Sequence, residues 1–163
     1  MTKTTLALLF LSLAAGAARA EDPAPAAANP PAANAPADDR RTVMVEKAPK
    51  PIGPYSQAVV AGNLIFASGQ TGTDPKTQSL VPGIRAQTEQ ALNNLEAVLA
   101  GAGATFADVV KVTLFVADLS DFAVVNEIYG KRFPKDPPAR STVQVTELPK
   151  LARIEIDLIA VKR

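Results

Sequence analysis

The 163-residue sequence contains no histidine and no cysteine, and this limits the chemistry that it can perform. Thiol nucleophiles, disulfides, thiolate–zinc sites and Ser-His or Cys-His arrangements are all excluded. Catalysis must therefore use carboxylates, lysine, arginine, tyrosine, hydroxyls, backbone amides and water. Carboxylates alone can bind Mg²⁺ or Ca²⁺, but no clustered spacing of Asp and Glu indicates such a site, so no metal is predicted.

Three residues are candidates for that chemistry. Arg140 stands just before a β-prone run, Glu155 lies within an alternating strand, and Tyr55 is set among prolines and a glycine. Taken singly, each has an ordinary structural explanation, because such arginines and glutamates usually face water and the tyrosine could be a packing ring. The sequence has no nucleotide-binding glycine pattern, nucleophile elbow or metalloprotease motif. The chemical assignment therefore depends on the segments in which these residues stand.

Hydrophobic periodicity predicts an α+β domain over residues 41–163. The predicted elements are a strand at 42–45, a hairpin at 58–66 with Gly62-Asn63 in its turn, a helix at 84–100, a strand at 109–116, a helix from 120 to 133, and strands at 141–145 and 153–161. This order implies a mixed sheet with two helices packed on one face. Phe115, Ile159 and Val161 would make the other face half apolar, as in sheets that pair with another subunit.

Alternation and helical spacing also predict which side chains face the core. On the strands, the predicted inward residues are Val110, Val112, Leu114, Val116, Ile154, Ile156, Leu158 and Ala160. On the second helix, the predicted buried stripe is Phe122, Val125, Tyr129 and Phe133.

The first forty residues have the features of an export signal and a tether. Lys3, an apolar stretch at 6–15 and the small-x-small sequence Ala18-Arg19-Ala20 predict a signal peptide over residues 1–20. Residues 21–40 are rich in Pro and Ala and lack large apolar side chains, which predicts a disordered linker. We therefore expect a periplasmic or secreted protein. The apolar stretch is too short for a stable bilayer-spanning helix, so no membrane span is predicted.

Five separate segments, in order along the domain, resemble the signature segments of the reactive-intermediate deaminase (Rid, or YjgF) family. The segments are IGPYSQ at 52–57, ASGQ at 67–70, DLSDFAVVN at 118–126, PARSTV at 138–143 and IEIDLIAV at 154–161. The resemblance implies a chorismate-mutase-like fold and a homotrimer with active sites in the clefts between subunits. It also implies hydrolysis of 2-imino acids and their enamine tautomers, such as 2-iminopropanoate and 2-iminobutanoate, to 2-keto acids and ammonia without a cofactor.

The same resemblance assigns roles to seven residues. The family's carboxylate-binding arginine falls on Arg140, its water-orienting glutamate on Glu155 and its pocket tyrosine on Tyr55. Other substrate-binding positions of the family fall on Ser68, Gly69, Asn126 and Thr142. The family commonly has cysteine where this chain has Thr142, so we infer that the contact needed there comes mainly from the backbone.

These residue types suit imine hydrolysis on chemical grounds. The planar fork of arginine can bind a substrate carboxylate through two hydrogen bonds and so orient the electrophilic carbon. An ionised glutamate can accept a proton from the attacking water, which typically contributes about 10²–10⁴ in rate.

Two other functions compete with this interpretation. One is a binding or chaperone-like module that holds carboxylate metabolites without turnover, although such a module would need Arg140 but not Glu155. The other is an endoribonuclease, an activity associated with some relatives of the Rid family. A formal net charge of +1, with acidic and basic residues mixed along the chain, gives no reason to expect a nucleic-acid partner.

Overall fold

The computed structural model of the chain describes residues 39–163, and within them regular structure begins at Arg40. The strands and helices are β1 (Arg40–Val43), β2 (Ala58–Ala61), β3 (Leu64–Thr71), α1 (Ile84–Ala102), β4 (Val109–Val116), α2 (Phe122–Arg132), β5 (Ala139–Gln144) and β6 (Ile154–Val161). The predicted signal peptide and all but the last two residues of the predicted linker lie outside the described residues. In the described part, no helix is both long and apolar enough to cross a membrane.

A glycine turn and a bulge shape the first half of the sheet. Gly62, at φ 61°, lets β2 reverse directly into β3, which confirms the predicted hairpin. Strand β3 continues beyond the predicted end at residue 66, because its second half pairs with β6. The register of that pairing shifts between Ala67 and Gln70, so Ser68 and Gly69 form a bulge.

The six strands form one mixed sheet in the order β1-β2-β3-β6-β4-β5. All neighbours are antiparallel except β4 and β5, which are parallel. A parallel pair needs a crossover, and α2 lies in the connection between these two strands. The mixed sheet predicted from the sequence is confirmed.

Both helices pack on the same face of the sheet, as predicted. Helix α1 lies over β3 and β6, and α2 lies against α1. The inward face of β6 is completely apolar, and its residues are Ile154, Ile156, Leu158 and Ala160. They meet Leu92, Leu95 and Leu99 of α1 in the core. Full burial of one such leucine or isoleucine contributes about 1.5–3 kcal/mol relative to exposure.

Two predicted core residues are exposed. Val110 lies at a register shift between β4 and β6, so Val109 takes the inward position in its place. Phe122, expected on the buried stripe of α2, is 40% exposed, whereas Val125 and Tyr129 are buried as predicted. Both differences come from tertiary features that local periodicity does not reveal.

The face opposite the helices, here called the open face, mixes apolar and acidic side chains. Phe66 projects from β3, Phe115 from β4, and Ile159 from β6, all partly exposed. Glu155 and Asp157 share this face, because they alternate with the inward residues of β6.

Candidate functional site

A cavity of about 300 Å³ opens where the bulge of β3 meets the start of β6. Its wall is completed by the segment before β2 and by the turn before β6. The lining residues are Pro49, Lys50, Ile52, Tyr55, Ser68, Gly69, Gln70, Thr71, Thr73, Pro149, Lys150 and Glu155. Four of the seven predicted site residues, namely Tyr55, Ser68, Gly69 and Glu155, therefore lie together.

Glu155 is the acidic group of this cavity. Its carboxylate lies over Gly69, where a Cβ atom would overlap the carboxylate oxygen, so the absence of a side chain at 69 makes room for it. Among residues 39–163, no lysine or arginine forms an ion pair with Glu155. Burial raises the pKa of Glu155, and the nearby charge of Asp157 raises it further. The group is therefore a stronger proton acceptor than an ordinary glutamate.

Hydrogen bonds to the backbone fix the bulge beside Glu155. The Ser68 hydroxyl donates to the carbonyl oxygen of Ser56 at 2.7 Å, and the Ser68 amide donates to the carbonyl oxygen of Gln57 at 3.0 Å. Because its proton is used in this way, the Ser68 hydroxyl can offer its lone pairs to the cavity.

A buried glutamine holds the opposite wall. Gln57 is 1% exposed, and its side-chain oxygen accepts the Val45 amide at 2.6 Å. Its side-chain nitrogen donates to the carbonyl oxygens of Val45, Ala48 and Pro49 at 2.8–3.4 Å. This network fixes the segment that leads to Tyr55, whose half-exposed ring faces the cavity.

The other three predicted site residues form a second group, on β5 and α2. Arg140 is aligned with the buried Val112 of β4, so its side chain lies on the helix-covered face. Its guanidinium carbon is 4.7 Å from the ring centre of Tyr129 and 5.7 Å from that of Phe122. Within the described residues, the buried side-chain oxygens without a hydrogen-bond partner belong to three residues of this neighbourhood: Asn126, Tyr129 and Thr142.

The two groups lie on opposite faces of the sheet. Glu155 is paired with Phe115 on the open face, whereas Arg140 is on the helix side of the edge strand. Strand β5 is also two strand spacings from β6, about 10 Å. Arg140 and Glu155 of the same chain therefore do not border a common cavity.

Sequence reasoning missed several residues of both groups. Lys50 and Lys150 line the cavity, and the Lys150 ammonium group donates to the carbonyl oxygen of Gln78 at 2.9 Å. Both lysines stand in loops far apart in sequence, and no spacing links them. Tyr129 was assigned only to the core, although its position three residues after Asn126 places both on one face of a helix.

Comparisons with known proteins agree with this fold. A family model described as endoribonuclease L-PSP matches residues 45–162. The chain is 48% identical over 124 residues to the 2-iminobutanoate/2-iminopropanoate deaminase of Rattus norvegicus, covering 76% of this chain and 90% of that protein. It is 49% identical over 124 residues to a RutC family protein of Pyrococcus horikoshii, covering 76% and 98%. The crystal structure of RidA from the Antarctic bacterium Psychrobacter sp. PAMC 21119 matches with a TM-score of 0.73 at 45% identity, covering 74% and 98%.

Proposed function

The chain belongs to the Rid family, also described as endoribonuclease L-PSP, and from this premise we propose that it is an imine deaminase. It hydrolyses 2-imino acids of the 2-iminopropanoate and 2-iminobutanoate type, and their enamine tautomers, to 2-keto acids and ammonia. The observation that carries this proposal is the half-buried Glu155 carboxylate, which has no cationic partner in the described chain and lines a cavity large enough for a small metabolite. The identity of nearly half to the rat deaminase supports the same reaction.

In this mechanism Glu155 activates water. The water oxygen forms a bond to the carbon of the protonated imine while Glu155 accepts one of the water protons, and the C=N π electron pair moves to the nitrogen, which becomes a neutral amine. Glu155 returns this proton to the amine nitrogen and accepts the hydroxyl proton, and the C–N bond breaks to give a ketone and ammonia, which takes up the remaining proton as ammonium. One imine and one water are consumed, and no electrons are transferred, so the reaction as written needs no cofactor. The raised pKa of Glu155 favours the first proton transfer.

Arg140 holds the substrate carboxylate in a homotrimer whose sites lie between subunits. The separation of Arg140 and Glu155 on opposite faces supports this assembly, because a shared pocket then requires Arg140 from one copy and Glu155 from the next. The half-apolar open face, with Phe66, Phe115 and Ile159, gives such copies a surface to bury. Asn126 and Thr142 accompany Arg140, while Tyr55, Ser68 and Gly69 accompany Glu155.

Ammonia release tests the reaction. Purified protein is mixed with freshly generated 2-iminopropanoate, and the rate is compared with those of Arg140→Ala and Glu155→Gln. We expect both variants to lose at least about 10²-fold in rate. Arg85→Ala is the matched control, since it removes an exposed arginine paired with Glu127 outside both groups.

Binding of the product pyruvate without any turnover by wild-type protein would favour the carboxylate-binding module. RNA cleavage that survives Arg140→Ala would favour the endoribonuclease.

Mixing the two inactive variants tests the shared site. Arg140→Ala and Glu155→Gln subunits, unfolded and refolded together, should regain roughly a quarter of wild-type activity, the statistical share of intact sites in a ring of three. No recovery in verified mixed trimers would mean that the two residues act within one chain or not at all.

We also propose that the protein is exported to the periplasm or secreted. Lys3, the apolar residues 6–15 and the Ala18-Arg19-Ala20 sequence support a cleaved signal peptide. Mass spectrometry of protein recovered from the periplasm or medium should give a chain that begins at Glu21. Full-length protein confined to the cytoplasm would contradict this proposal.

A further inference from the structure

Arg140 differs from other arginines of the chain in how it is held. Arg85, Arg132 and Arg153 each form an ion pair with a carboxylate at 2.7–2.9 Å. The Arg140 guanidinium has neither an ion pair nor a side-chain hydrogen bond within residues 39–163, and it lies instead against the rings of Tyr129 and Phe122.

Aromatic rings can fix a guanidinium without using its donors. A ring face attracts the cation through its quadrupole when the two are within about 6 Å, and it leaves the N–H groups at the edge of the plane free. A carboxylate would instead occupy the N–H fork and cancel the charge. A guanidinium that must accept a substrate carboxylate is therefore better held by rings than by an acid.

We propose that Tyr129 is a positioning residue, whose ring orients the Arg140 guanidinium for an incoming carboxylate. This inference rests on the proposed function. Of the two rings, that of Tyr129 is the closer and is fixed, since the residue is 5% exposed and its ring packs 4.6 Å from that of Phe133. Phe122 is 40% exposed and lies on the outer side of Arg140, and the two rings are here called the aromatic cradle.

The phenol can serve in this role because it remains neutral. Burial raises the pKa of Tyr129, and the opposing effect of the Arg140 charge is smaller. A tyrosinate would pair with Arg140 and compete with the substrate, whereas a neutral ring does not. The hydroxyl oxygen has no hydrogen-bond partner in the described chain, so the contact that Arg140 receives from this residue is through the ring.

Substitutions at Tyr129 separate the ring from the hydroxyl. Tyr129→Leu removes the aromatic face, and we expect KM for 2-iminobutanoate to rise about 3- to 30-fold, while kcat changes much less. That range corresponds to about 0.7–2 kcal/mol at 1.4 kcal/mol per tenfold change. The Kd of the product 2-oxobutanoate, measured by calorimetry, should rise by a similar factor. Tyr129→Phe, which restores the ring, should recover most of the lost affinity.

Phe106→Leu is the matched control. It removes a comparable contact, since the Arg132 guanidinium lies 5.8 Å from the Phe106 ring. Because Phe106 also packs 5.2 Å from Phe133, this variant reproduces any loosening of the aromatic cluster without removing the ring that lies against Arg140. KM should then stay within about twofold of wild type. If Tyr129→Leu fails to fold, Phe122→Leu provides the second test at an exposed position, with a smaller rise in KM and Kd expected.

The outcomes distinguish this inference from the proposed function. A folded Tyr129→Leu protein with wild-type KM and Kd overturns the positioning role. Absence of imine turnover by wild-type protein overturns the deaminase, but the Kd of 2-oxobutanoate in the same variants still tests the cradle. If wild-type protein binds no 2-oxobutanoate, the inference is wrong as well, because Arg140 then has no carboxylate to hold.

Discussion

Two glutamates of this chain have opposite electrostatic environments. Glu127, exposed on α2, accepts hydrogen bonds from Arg85 at 2.8 Å and Lys131 at 3.1 Å, and these lower its pKa to about 2. Glu155 is half-buried beside Asp157 and has no ion-pair partner among residues 39–163, and burial raises its pKa. The same side chain is thus held ionised in one region and made more basic in the other.

The difference shows that this fold pairs an exposed carboxylate with cations and leaves the carboxylate in the cavity unpaired. A paired, exposed carboxylate adds little stability, because solvent screens it and its partners lose side-chain freedom. An unpaired, half-buried carboxylate costs stability but is available for proton transfer, as is common at functional sites. The contrast between Arg85, paired with Glu127, and Arg140, held by rings, follows the same rule.

The largest expected effect is on kcat, when a substitution displaces the Glu155 carboxylate. In Gly69→Ala, the new methyl group would overlap the carboxylate and displace it, so kcat should fall by about 10²-fold or more. Gly130→Ala is the control, because no heavy atom lies within 4 Å of the added Cβ and alanine favours the helix. Steady-state kinetics of the two variants provide the test. A Gly69→Ala enzyme within threefold of wild type would show that the position of Glu155 is unimportant.

A second prediction concerns the neutral network behind the cavity. Gln57→Ala leaves the amide of Val45 and the carbonyl oxygen of Pro49 without their side-chain partner. We expect the free energy of unfolding to fall by about 2 kcal/mol, measured by urea denaturation. Gln90→Ala, at a partly exposed position on α1, should have a smaller effect. Equal losses in both variants would contradict the role given to Gln57.

A third prediction concerns the stability that the protein loses when the half-buried Glu155 is ionised. Because its pKa is raised on folding, ionised Glu155 destabilises the protein at pH values above that pKa, and not below its ordinary value of 4.5. Glu155→Gln should therefore stabilise the protein at pH 8 and not at pH 4, and the gain is smaller in the proposed trimer, where Arg140 of a neighbouring copy offsets the Glu155 charge. Thermal unfolding at both pH values measures this difference. A gain of the same size at pH 4 would have to come from packing and not from charge.

The smallest effect is expected at Glu127. Since its pKa is lowered on folding, its contribution is present above pH 4.5 and is lost as the pH falls towards about 2. Glu127→Gln should change Tm by less than about 2 °C at neutral pH, and less still in 1 M salt. A larger change that persists in 1 M salt would show that this surface network stabilises the fold more than the comparison implies.

Much of the fold could be predicted from the sequence, because its signals are local. Helical spacing located α1, the Gly62 turn located the hairpin, and strict alternation identified the buried side of β6. The predictions for Val110 and Phe122 were wrong, since a register shift turned the first outward and the second is the first residue of α2, where its ring lies near Arg140 and stays 40% exposed. Bulges and contacts between distant elements leave no trace in local periodicity.

The sequence named candidate site residues, but it did not predict how the fold arranges them. Seven residues were named by resemblance, and the structure divides them into one group around Glu155 and another around Arg140. The roles of these residues remain predictions. Their division depends on strand order, because β6 lies between β3 and β4 although it comes last in the chain.

By itself, the sequence determined the available chemistry, since a chain without histidine or cysteine has only carboxylates, cations, hydroxyls and amides to use. It also determined the sequence of helices and strands, because propensity and periodicity act over a few residues. Only the tertiary structure decided that Glu155 lies over Gly69 on one face while Arg140 lies against Tyr129 on the other. Those placements follow from pairing between strands far apart in the chain, where one step of register moves a side chain to the opposite face of the sheet.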